Sequence, residues 1–159
     1  MRVPTTVLDD DFVLTDSHIM LDYLDNMVSE PMFPRAEPAR HITLNVATLA
    51  TGLAEKAVSL FYERHLHDAT SPVWEARCQR QMGSVLAALE ADRALRPGPH
   101  WFGALSHADI AVACALRFAA EAHPGVLDLA ACPALAAHCA MLEAMPVFQA
   151  ISQAFIPPA

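Results

Sequence analysis

Leu105-Ser106-His107-Ala108-Asp109-Ile110-Ala111-Val112-Ala113-Cys114-Ala115-Leu116 is the stretch on which the fold turns. Ser106 and Asp109 are three apart, the spacing of a capping box. The serine side chain takes the amide of Asp109, and the Asp109 carboxylate reaches back to the amide of Ser106. Leu105 and Ile110 flank the pair as a hydrophobic staple. Residues 110–116 are apolar on every side, which predicts a helix at the buried centre of a bundle rather than on its surface. A cap at the start of so buried a helix serves folding, because its loss would leave amides unpaired inside the protein.

Outward from that centre, proline and glycine punctuate a run of helices. Pro38 precedes a long helix over 39–66, with Ile42, Val46, Leu49, Leu53 and Leu60 on one stripe and Ala47, Ala54, Val58 and Phe61 widening it. Pro72 suits a helical first turn, and Trp74, Cys78, Met82, Val85 and Leu89 share the next face. Arg96-Pro97-Gly98-Pro99 ends that helix. Pro133 opens another with Leu135, Cys139 and Leu142 in register. Pro146 opens the last, with Phe148, Ile151 and Phe155. Before Met27 the pattern changes. Thr5 to Leu8 and Phe12-Val13-Leu14 read as two short strands about an Asp9-Asp10-Asp11 turn. Thr15 or Asp16 then caps a helix with an apolar stripe at Ile19, Met20, Tyr23 and Leu24. Pro31, Pro34 and Pro38 make the following segment a linker.

Composition sets the outer limits. The chain has 159 residues, enough for one sizeable core, and its 54% hydrophobic content excludes a disordered chain. A net charge of −8 argues against nucleic acid or an anionic membrane as the main partner. No apolar run is long enough to span a bilayer, and the first residues lack a signal peptide's apolar stretch. Cys78, Cys114, Cys132 and Cys139 sit at apolar positions with no CxxC pair, so they read as reduced core residues of a cytosolic protein. The eight histidines lack metal-ligand spacing. There is no GxSxG elbow and no glycine-rich phosphate loop. Tyr62, Arg40 and Asn45 lie on the long helix as surface, interface or pocket residues. Glu63, Arg64, Asp92 and Arg93 read as a solvated face.

Taken together, these pieces resemble a cytosolic glutathione transferase of bacterial type. Val3-Pro4 before a hairpin looks like the family's Val–cis-Pro loop. Phe12 to Leu24 looks like the strand, acidic-Ser pair and helix that follow it, down to the Ile19-Met20-Leu21-Asp22-Tyr23-Leu24 ending. Ser106-His107-Ala108-Asp109-Ile110-Ala111 matches the buried capping motif, and Cys132-Pro133-Ala134-Leu135 and Met145-Pro146 match the late proline-led helices. Each piece alone is common; the combination is specific and spans the chain.

The resemblance implies a mainly α fold. A glutathione-transferase-like helical bundle over 39–159 would follow a thioredoxin-like remnant, a β-hairpin and helix over 1–28, and a linker over 29–38. It implies that Val3 pairs through its backbone with the cysteinyl unit of glutathione beside a cis Pro4. Asp16, where the family more often has Glu or Gln, would take the γ-glutamyl ammonium. Ser17 and the amides at the helix start would take the γ-glutamyl carboxylate. Without the resemblance, Asp16-Ser17 reads as a plain helix cap. The family's catalytic Tyr, Ser or Cys lies on a strand-helix-strand-helix portion that has no counterpart before Met1. No catalytic residue is therefore assigned, and little transferase activity is expected of the chain alone. The implied function is conjugation of glutathione to a hydrophobic electrophile by a cytoplasmic homodimer. The alternatives are a non-catalytic interaction module of the same fold and a glutathione-dependent isomerase or reductase.

Overall fold

Pro38 and the alternation of large and small apolar residues after it set up the longest element of the computed structural model, which describes residues 4–157. The elements in order are β1 (Thr5–Val7), β2 (Val13–Thr15), α1 (Ser17–Asp25), α2 (Ala39–Leu66), α3 (Pro72–Ala94), α4 (His107–Ala122), a 3-10 turn (Leu129–Ala131), α5 (Pro133–Glu143) and α6 (Pro146–Ile151). The fold is mainly α, a hairpin and helix followed by a five-helix bundle, as the sequence implies. The chain divides into two compact units, one up to His41 and one from Ile42 onward.

In the first unit β1 and β2 pair antiparallel, Thr5 with Thr15, Thr6 with Leu14 and Val7 with Val13. Alternation puts Thr6 and Leu14 on one face. Leu14 is buried there, and the Thr6 hydroxyl lies 3.7 Å from Met20 Sδ on α1. The stripe expected on α1 forms, but Ile19, Tyr23 and Leu24 stay exposed. Two three-residue strands offer too little surface to cover a nine-residue helix. The linker is held by Asp25, which ends α1 buried and accepts from the amides of Met32 at 2.6 Å and Phe33 at 3.0 Å. Arg40 in the first turn of α2 reaches Asp22 at 2.5 Å.

In the second unit one apolar cluster joins Val46, Ala50, Leu53, Ala57 and Leu60 of α2 to Cys78, Met82 and Leu89 of α3 and Val112, Leu116 and Ala119 of α4. Each fully buried leucine contributes roughly 1.5–3 kcal/mol. Val46, Leu53 and Leu60 of the expected α2 stripe are buried with Ala50 and Ala57 between them, whereas Ile42 is exposed. A smaller cluster of Ala113, Leu142 and Phe148 takes in Leu105 and Ile110, the two staple residues.

The capping box at the head of α4 closes. Asp109, fully buried, accepts from the Ser106 amide at 2.8 Å, the Ser106 hydroxyl at 2.6 Å and the Trp101 amide at 2.7 Å. The cap therefore fixes the preceding loop as well as the helix. Arg93 corrects the solvated-face expectation. It is buried at the end of α3 and donates to the carbonyls of Arg96 at 3.0 Å, Gly98 at 2.7 Å and Pro99 at 3.1 Å. Carbonyls beyond a helix C-terminus need donors, and a guanidinium supplies several at once. Its Nε also donates to Nδ1 of the buried His138, 3.3 Å away on α5. Glu63 is buried too, accepting from the Ser71 amide at 2.6 Å just before α3. Glu90 of α3 accepts from the amides of Ala134 at 3.0 Å and Leu135 at 2.9 Å, capping α5 where Cys132 has no side-chain cap bond.

Two further expectations are corrected. Cys114 on α4 is exposed and Cys139 only half-buried, while Cys78 and Cys132 are buried as expected; all four are free thiols. Burial pushes the Cys139 thiol up to about 11, with Glu143 adding to the effect. The last helix stops at Ile151, which is exposed. Phe155 lies beyond it, packing edge-on against Phe61 at 5.3 Å and Phe118 at 5.5 Å.

Candidate functional site

The junction of β2 and α1 gathers Pro4, Asp16 and Ser17, three of the four residues expected to hold a ligand. Val3 and its bond to Pro4 lie outside the described residues. A strand running straight into a helix forces a sharp turn of the backbone, and Asp16 makes that turn at φ 79° and ψ 136°. A non-glycine residue held there stores about 1–3 kcal/mol and persists only where its surroundings hold it. Three bonds do so. The Asp16 amide donates to the Pro4 carbonyl at 3.2 Å, closing the open end of the hairpin. Its carbonyl accepts from the Met20 amide at 3.2 Å as α1's first internal bond. Its Oδ1 accepts from the His18 amide at 2.9 Å as the N-cap.

Ser17, half-buried, is the first residue of α1, and its hydroxyl makes no hydrogen bond among the described residues. The site thus presents a carboxylate, a hydroxyl and a helix N-terminus within two consecutive residues. Such an arrangement suits a ligand carrying an ammonium and a carboxylate on one carbon, one charge for Asp16 and one for the helix end. The plain helix-cap reading of Asp16 also holds, since its carboxylate does cap α1. Capping alone does not account for the positive φ, because an N-cap ordinarily sits in the extended region. Sequence periodicity carries no signal for that backbone angle.

A cavity of about 420 Å³ opens elsewhere in this unit, between the hairpin and the apolar side of α1, with Val7, Leu14, Met20 and Leu24 among its walls. Of the helix residues weighed from sequence, Tyr62 and Asn45 are exposed and Arg40 is engaged with Asp22. Among the described residues no group of three or more His, Cys, Asp or Glu can hold a metal ion. No helix among them is long and apolar enough to cross a membrane.

The chain as a whole is similar to known proteins. The family model "Glutathione S-transferase, C-terminal domain" matches residues 72–140, which run from the start of α3 into α5. A crystal structure of a glutathione transferase family member from Pseudomonas fluorescens Pf-5, with bound S-(propanoic acid)-glutathione, is 31% identical. It aligns over 94% of this chain and 76% of its own, with a TM-score of 0.82. The same protein with bound glutathione aligns over 99% of this chain and 75% of its own at 30% identity and a TM-score of 0.83. A glutathione S-transferase from Methylobacillus flagellatus KT with glutathione bound is 25% identical over 94% of this chain and 74% of its own, with a TM-score of 0.84. A search of curated protein sequences finds no match. With a capping box at the head of α4, a hairpin that hands over to α1 through Asp16, and that identity over three quarters of a solved relative, the chain belongs to the glutathione transferase family.

Proposed function

We propose that this chain binds glutathione at the β2–α1 junction and serves conjugation of its thiol to a hydrophobic electrophile. Asp16 holds the γ-glutamyl ammonium. The Ser17 hydroxyl and the amides of α1's first turn hold the γ-glutamyl carboxylate, where the helix dipole favours an anion. The backbone of Val3, next to Pro4, pairs with the cysteinyl unit as a short added strand. In the conjugation the thiol gives its proton to water, the thiolate sulfur bonds to the electrophilic carbon, and that carbon releases a leaving group with its bonding electron pair; the residues assigned here hold the tripeptide for that step.

The observation that carries this reading is the strained backbone at Asp16, tied to Pro4 by the 3.2 Å bond. It aims a carboxylate and a helix start at one spot, and family members of like fold are crystallised with glutathione or a derivative of it. Calorimetric titration of the chain with glutathione tests it. Asp16→Ala is expected to weaken binding by about tenfold or more, worth ~1.4 kcal/mol or more, and Ser17→Ala by several-fold. Equal affinity in both variants and the parent, or no uptake by the parent at millimolar glutathione, would overturn it.

A further inference from the structure

Among the described residues, three cations of the second unit meet no acid. The chain holds ten Lys and Arg against eighteen Asp and Glu, so acidic partners are in excess. Arg40, Arg64, Arg96 and Arg117 each pair with a carboxylate, and Arg35 and Arg93 donate to backbone carbonyls. The head groups of Lys56, Arg77 and Arg80 make no ion pair or hydrogen bond among the described residues. Lys56 Nζ only stands 5.9 Å from the centre of the Trp74 ring. All three line one cavity of about 520 Å³ between α2 and α3.

The groove has the make-up of an anion site. Arg77 and Arg80 are three apart on α3, hence neighbours on one face, and Lys56 faces them from α2. Like charges gathered this way repel one another until an anion joins them. Thr48 adds a hydroxyl to the wall, and Gln81 carries a buried side-chain oxygen with no partner, ready for a donor on a ligand. Gly52 lines the same groove in the interior of α2, where glycine disfavours helix. A side chain added there would meet nothing within 4 Å, so packing does not demand the glycine; its absence of side chain keeps the groove open.

We propose that the α2–α3 groove binds a small, multiply charged oxyanion, namely a phosphoryl group carried on a small molecule. The two guanidinium forks take phosphoryl oxygens in pairs, Lys56 supplies a point charge, and the remaining volume takes the body of the molecule. The cavity falls in the range of small-ligand sites, roughly 300–1,000 Å³. The proposal is independent of the glutathione site, which uses residues of the other unit.

Titration of the full chain with pyrophosphate, at ionic strength held constant with sodium chloride, tests it. The parent is expected to bind. Arg77→Gln/Arg80→Gln is expected to raise Kd by about tenfold or more and Lys56→Gln by several-fold, with helical circular dichroism unchanged. Arg35→Gln, outside the groove, is expected to bind as the parent does. Equal binding by parent and double variant, or equal weakening by Arg35→Gln, would overturn the site. Sedimentation velocity on the same samples reads the remaining outcome. If the double variant converts a dimer to a monomer while pyrophosphate binding stays as in the parent, the groove is an interface for a second copy and the proposal fails.

Discussion

Asp109 shows how much one carboxylate does here. It is fully buried and holds three donors from two segments, the Ser106 amide and hydroxyl and the Trp101 amide. A buried charge is tolerable only when its oxygens are satisfied, and these are. Removing it leaves two buried amides without an acceptor. Asp109→Ala is therefore expected to destabilise the fold by about 3–5 kcal/mol, and Asp109→Asn by less, because an amide oxygen still accepts. Urea unfolding gives the check: the midpoint should fall with the slope unchanged. A loss below 1 kcal/mol in the alanine variant would show that the bonds are dispensable. The Ser106-Asp109 pair was legible from its spacing alone. The Trp101 bond was not, because it joins residues across a loop whose path the sequence does not state.

At the scale of elements, α5 illustrates a cap supplied from outside. Pro133 at its first turn removes one amide from the set that needs a partner. Cys132 makes no side-chain cap bond, and Glu90 on α3 accepts from the next two amides instead. Glu90→Ala is expected to cost about 1–3 kcal/mol and to speed hydrogen exchange at Ala134 and Leu135 ahead of the rest of α5. Unchanged protection at those two amides would mean that water replaces the carboxylate without loss. The bounds of α2 were legible as Ala39–Leu66, since Pro38 and the apolar repeat are local signals. Of its expected stripe Val46, Leu53 and Leu60 are buried and only Ile42, near the helix start, is exposed.

For the molecule as a whole, two buried histidines set the response to acid. Burial holds His138 below the usual histidine range, with Arg93 acting the same way and Asp109 opposing. Burial holds His123 down likewise, while the bond from its Nε2 to the Ala57 carbonyl, 2.8 Å long, opposes. Both are more readily protonated in the unfolded chain than in the folded one. Stability is thus greatest above the ordinary histidine range, about pH 6.5, and is lost as pH falls through that range toward the lowered folded values. Each such group adds a slope of up to about 1.4 kcal/mol per pH unit. Denaturation between pH 7.5 and 5 should show this loss, and His138→Gln should flatten it by roughly one histidine's share. The same slope in the variant as in the parent would exclude His138. His138, in the middle of α5, lies between the Arg93 guanidinium at the end of α3 and the Asp109 carboxylate at the start of α4, 3.6 Å from its Nε2.

The sequence by itself determined the order of the helices, the bounds of α2, the hairpin ahead of them and the capping box, because these rest on local spacing, prolines and apolar periodicity; the family showed as a resemblance of combined motifs. Only the tertiary structure decided that Arg93 and Glu63 are buried, that Cys114 faces outward, that Phe155 leaves α6 to meet Phe61 and Phe118, that Asp16 sits at a positive φ, and that Lys56, Arg77 and Arg80 share one groove. The physical reason is common to all five. Burial, backbone strain and the neighbours of a charge depend on segments far apart in the chain, and their meeting is fixed by how helices pack rather than by the residues beside each one.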